Sequence, residues 1–183
     1  PVVRERAAMA LGKLEESPTK QLVEMLESGD LYAKIGACQA FAFLKGKASD
    51  AVPALTDVLR SDDLWLRIEA AEALAAIGPE AESVIPELLT MMASDDPESD
   101  PRNMQQRYLC FALFDRRSGM LRGSLDGVER DALFEAVKSG LQNEDGRARG
   151  TIATVYKQLS YDEIKPILPV IYEAIVTPAP SGI

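Results

Sequence analysis

A short pattern recurs along this chain, and it constrains the fold more than any other feature. Arg4-Glu5-Arg6-Ala7-Ala8-Met9-Ala10-Leu11-Gly12, Lys34-Ile35-Gly36-Ala37-Cys38-Gln39-Ala40-Phe41-Ala42 and Arg67-Ile68-Glu69-Ala70-Ala71-Glu72-Ala73-Leu74-Ala75 align without gaps. Each reads basic, two variable, two small, one variable, small, large apolar. Looser copies start at Arg107, with Cys110, Phe111, Leu113 and Phe114, and at Arg149, with Ile152, Ala153, Val155 and Tyr156. The basic anchors are 30, 33, 40 and 42 residues apart. Within a copy the small and large apolar positions fall three and four apart, which puts them on one face of a helix. The small residues let a neighbouring helix approach closely.

Ahead of the later copies lies a second apolar helical stretch: Leu22–Leu26, Leu55–Leu59, Ile85–Leu89 and Leu133–Val137. Polar turns separate the two: Ser28-Gly29-Asp30, Ser61-Asp62-Asp63 and Asn143-Glu144-Asp145. An Asp there caps the following helix and favours its positive end. The pattern predicts an all-α chain of about five helical hairpins. Pro53 and Pro86 fall near the starts of first helices, where a missing amide costs little. Pro166 and Pro169 lie in a last first-type helix expected over about residues 161–176.

The Asp30-x-x-x-Lys34, Asp63-x-x-x-Arg67 and Asp145-x-x-x-Arg149 spacings, the Ala-Ala-x-Ala-Leu cores and the glycines Gly12, Gly46 and Gly78 carry a family resemblance. The chain resembles the HEAT-repeat superfamily, above all the short repeats named after phycobilisome lyases. The resemblance implies a right-handed α-α superhelix, a HEAT-like solenoid, forming a single domain over residues 1–183. It is most regular over residues 1–93; beyond them Pro97-Glu98-Ser99-Asp100-Pro101 is inserted and the Asp-to-Arg spacing is lost. The tetratricopeptide and ankyrin signatures are missing. The chain opens on a second helix and closes on a first one, so it is expected to be a segment of a longer array.

Composition removes several kinds of chemistry. There is no His, hence no imidazole base, no His metal ligand and no Ser-His-Asp triad. Cys38 and Cys110 have no CxxC spacing and are expected in the core. A net charge of -9 argues against nucleic acid, whose binding rests on clustered Lys and Arg. No apolar run approaches the roughly 20 residues that span a bilayer. Neither a metal nor a cofactor is called for, and the chain is expected to be soluble and not an enzyme.

In HEAT-type repeats the second helices line the concave face. Positions two before and two, five and nine after each anchor share one side of them. They include Tyr32, Gln39 and Phe43, then Trp65, Glu69 and Glu72, then Gln105 and Leu109. Tyr32 and Trp65, the only Trp, hold the same register in adjacent repeats. Large aromatics on an open groove act as binding anchors, and Glu69 with Glu72 favours a basic or amine-bearing partner. The alternative is that both rings pack as structural filler.

The ladder Asp30, Lys34, Asp63, Arg67, Asp145 and Arg149 is expected to cap helices and bridge repeats. Asp95, Asp96, Glu98 and Asp100 read as a solvated loop or, less readily, as oxygen ligands for a hard cation. Arg116, Arg117 and Arg122 lie in the longest irregular connection, read as a linker or as a loop that takes an anion.

The leading functional expectation is a noncatalytic scaffold or interaction module that binds a protein or peptide on the concave face. The other is an accessory subunit or domain of an enzyme, one attaching a tetrapyrrole to a partner or one whose catalytic domain lies elsewhere. A HEAT-like DNA glycosylase would need a basic face, which Glu69 and Glu72 oppose.

Overall fold

The computed structural model describes residues 2–11 and 18–178. Gly12 and Lys13, with the side chains of Val2 and Arg4, lie outside the described residues. Every regular element described is helical. The helices are α1 (Val2–Leu11), α2 (Thr19–Ser28), α3 (Leu31–Leu44), α4 (Val52–Val58), α5 (Leu64–Ile77) and α6 (Ile85–Ala93). They continue as α7 (Met104–Phe114), α8 (Arg130–Leu141), α9 (Gly146–Ile152), α10 (Tyr161–Ile164) and α11 (Leu168–Val176). The chain divides into two compact units, Pro1–Val84 and Ile85–Ile183.

In the first unit α2 and α4 are the first helices of two hairpins, and α3 and α5 the second. The second helices α1, α3 and α5 pack side by side in that order, with α2 against α3 and α4 against α5. The repeat pattern explains the order. Ala37, Cys38 and Ala40 on α3 and Ala70, Ala71 and Ala73 on α5 are all buried, so the helix backbones approach closely. Phe41 and Leu74, the large residues of the pattern, are fully buried. Each contributes about 2–3 kcal/mol relative to exposure.

Helix starts follow the polar turns. Asp30 Oδ1 accepts from the Ala33 amide at 2.8 Å, and Asp63 Oδ1 from the Leu66 amide at 2.8 Å. After α5 the chain reverses at Gly78, φ 89°, a conformation that L side chains rarely adopt. After α3 the positive φ falls on Lys45, φ 55°, one residue before the glycine of the pattern. Short 3-10 turns, Lys45–Ala51 and Pro79–Val84, follow these reversals. Pro53 stands in the first turn of α4, where its missing amide leaves no bond unmade.

In the second unit α6 and α8 are first helices, α7 and α9 second ones; α6 packs on α7 and α8, and α7 on α9. The single helix expected over 161–176 is broken. Helix α10 passes into a 3-10 turn, Lys165–Ile167, and then into α11. Pro166 and Pro169 each open a segment, because each removes an amide that an unbroken helix needs. Helix α10 starts with a capping box: the Glu163 amide faces Ser160 Oγ, and Glu163 Oε2 takes the Ser160 amide at 2.8 Å. Helix α11 buries no side chain completely, and its Tyr172, Ile175 and Val176 are exposed.

Candidate functional site

The expected binding positions on α3 and α5 share one exposed face of the first unit. Tyr32 is 68% exposed, Trp65 47% and Phe43 39%, so the rings are not buried filler. Between them the face is polar. Gln39 Nε2 donates to Glu69 Oε1 at 2.8 Å, tying α3 to α5 and fixing the orientation of that carboxylate. Gln39 Oε1 is buried and accepts no hydrogen bond among the described residues. One turn further along α5, half-buried Glu72 has its pKa raised to about 7, by burial first and by the charge of Glu69 second. The same two causes push the Cys38 thiol beneath up to about 12.

The corresponding positions of the second unit differ. Leu109 is 1% exposed and offers no surface to a ligand, which corrects its expected place on an open face. Gln105 is half-buried, and its Nε2 donates to the Met91 carbonyl at 3.4 Å. The residue types carried a warning: positions holding Glu69 and Glu72 in α5 hold Leu109 and Ala112 in α7, both buried.

The ladder residues cap and fasten the turns. Asp145 Oδ1 accepts from the Arg147 amide at 2.8 Å. Arg67 Nη1 donates back to the carbonyls of Ser61 at 2.8 Å and Asp62 at 3.2 Å. Arg149 Nη1 repeats this with the carbonyls of Asn143 at 2.7 Å and Glu144 at 3.4 Å. Lys34 lines an open cleft of about 310 Å³ with Leu26, Asp57, Val58 and Arg60, where both signs of charge meet.

The acidic insertion is not wholly solvated. Asp100 is buried and caps α7, accepting from the amides of Met104 at 2.9 Å and Gln105 at 2.8 Å. Among the described residues no group of three or more His, Cys, Asp or Glu is placed to hold a metal ion.

The Arg116–Ser124 connection is ordered by its own carboxylate rather than hanging as a linker. Asp115 Oδ1 accepts from the amides of Arg117 at 2.8 Å and Ser118 at 2.9 Å and from the Ser118 hydroxyl at 2.8 Å. The Arg117 amide first, then Ser118, holds that carboxyl below its usual range. The donors of the turn thus point at Asp115. Arg116 and Arg117 are exposed, while Arg122 Nη1 donates to the Gly119 carbonyl at 2.9 Å. The amides of Met120 and Leu121 bond to the carbonyls of Ala112 and Leu113 at the end of α7.

A buried polar network in the second unit escaped the sequence reading. Gln106 Nε2 donates to Ser139 Oγ at 2.7 Å and to the Met92 carbonyl at 3.2 Å. Asn143 Nδ2 donates to Gln106 Oε1 at 2.9 Å, and Asn143 Oδ1 accepts from the Asp145 amide at 2.9 Å. Gln106 interrupts the apolar pattern of α7, the one signal that a polar partner waits inside.

Capped, paired helices with small residues at their contacts define an α-helical repeat protein. Residues 19–104 match the family model described as HEAT repeats, a match that supports assigning that stretch to the HEAT-repeat family. No curated protein and no solved structure matches the chain. HEAT repeats generally mediate protein interactions or scaffolding. No helix among the described residues is long and apolar enough to cross a membrane.

Proposed function

We propose that the protein is a noncatalytic interaction module and that it binds a protein or peptide on the α3/α5 face. The observation that carries this reading is the exposure of Tyr32, Phe43 and Trp65 on one face of two adjacent second helices. Aromatic side chains supply large contact area at low cost in conformational entropy, and such anchors dominate interface energetics. The noncatalytic part is supported by the side chains that would otherwise do chemistry. Both cysteines are buried, with their thiols pushed up to about 12, and the capping carboxylates of Asp30, Asp63 and Asp145 are engaged by helix amides.

Trp65 is the only Trp, so its fluorescence reports on the proposed surface alone. Peptides selected on the intact chain from a random display library are expected to shift that emission. Trp65→Ala and Tyr32→Ala are expected to weaken their binding, measured by anisotropy of labelled peptide, by about tenfold or more. Selected peptides that bind both variants as tightly as the parent chain would remove the face from consideration.

A further inference from the structure

We infer that the α3/α5 face selects a positively charged segment, with a Lys or Arg side chain of the partner lying against Glu69 and Glu72 and its neighbours resting on Tyr32 and Trp65. This rests on the interaction reading above and names the chemistry of the partner.

The argument starts from spacing. Trp65 precedes Glu69 by four residues and Glu72 by seven, so at about 1.5 Å rise per residue the ring lies about 6–10 Å along the axis from the carboxylates. An extended Lys or Arg side chain covers the shorter of these distances, and a neighbouring residue of the segment covers the rest. The Gln39 amide holds Glu69 from the opposite helix, so the carboxylate is oriented before any ligand arrives.

Charge then decides the sign of the partner. Glu69 and Glu72 stand three apart on one helix face, half-buried, and repel one another. A cation placed against both relieves that repulsion; a neutral group leaves it and an acidic one worsens it. Tyr32 and Trp65, both largely exposed, are residue types whose rings attract an ammonium or guanidinium as well. The net charge of -9 adds long-range attraction for a basic segment.

The test uses the intact chain, a random-peptide display library and the E69Q/E72Q double variant, which keeps side-chain size and removes both charges. Peptides whose binding depends on Trp65 are expected to be enriched in Lys or Arg. Their affinity is expected to fall about tenfold or more on E69Q/E72Q, on replacing the peptide's basic residues by Gln, and on raising the salt. Equal thermal midpoints of the parent and the double variant, or a higher one for the variant, show that lost binding is not lost folding. If Trp65-dependent peptides carry no basic enrichment, or bind E69Q/E72Q undiminished, the charge selection is wrong while the interaction surface stands. If no peptide depends on Trp65 or Tyr32, both fall together.

Discussion

Arg107 Nε stands 2.7 Å from Asp145 Oδ2, an ion pair that runs from the second helix of one repeat to the cap of the next. The contact is electrostatic rather than an aligned hydrogen bond, because the Nε–H is not directed at the carboxylate and makes no hydrogen bond among the described residues. Asp145 is buried, and Arg107 nearly so. Burial pushes the Asp145 carboxyl up; the Arg147 amide and side chain and the Arg107 charge outweigh it and hold the carboxyl below its usual range.

Removing that carboxylate takes away three contacts at once. Asp145→Ala loses the α9 cap and the pairing with Arg107 and Arg147, and it leaves the Arg107 guanidinium poorly compensated. The expected loss is about 3 kcal/mol, read from the urea midpoint, and Arg107→Ala on top of it adds less than it does alone. Additive losses would show that the pair does not interact.

Glu72 makes folding depend on pH. Its folded pKa of about 7 lies above the ordinary value, so between about 4.5 and 7 the folded chain holds a proton that the unfolded chain has released. This contribution to stability is complete below that window and is lost as the pH rises through it. After allowance for partial exposure, Glu72→Gln should become more stable than the parent by about 1–2 kcal/mol between pH 5 and pH 8. A difference between the two chains that stays constant with pH would refute the assignment.

The reversals after α3 and α5 predict opposite responses to glycine. Gly78→Ala places a side chain at φ 89° and should cost about 1 kcal/mol. Lys45→Gly, at φ 55°, should gain a similar amount, measured by thermal unfolding.

Gly140 marks a close helix contact, with no room for a side chain. A Cβ there would collide with Met92 Cε and would lie 2.6 Å from Ile152 Cδ1 and 3.3 Å from Cys110 Sγ. Gly140→Ala should cost about 1–3 kcal/mol, because three side chains must move in a closed core. Met92→Ala in the same chain should recover part of that loss in a denaturation series.

The core was legible because its signal is local and repeated. Alternating small and large apolar residues three and four apart located Ala37, Cys38, Ala40 and Phe41, and then Ala70, Ala71, Ala73 and Leu74, all of them buried. The caps Asp30, Asp63 and Asp145 were legible for the same reason, since an N-cap acts within three residues. What failed needed contacts distant in sequence. Carrying the register of α3 and α5 into α7 placed Leu109 at the surface, although an apolar residue at that position already implied a covered face. Asp100 could not be recognised as a cap from spacing alone, because it reaches α7 across Pro101, Arg102 and Asn103. Of the candidate site, the shared register of Tyr32 and Trp65 is legible but their exposure is not, since rings packed as filler fit the same spacing; nor is the Gln39 tie to Glu69, which joins residues 30 apart.

Asp100 shows what such caps permit. Each turn finds its start signal within a few residues of its helix, so added chain before α7 shifts the cap instead of displacing the helix. A repeat of this kind can lengthen at its turns without renegotiating its core, which makes the turns the natural place to splice in a loop, a tag or a second recognition element.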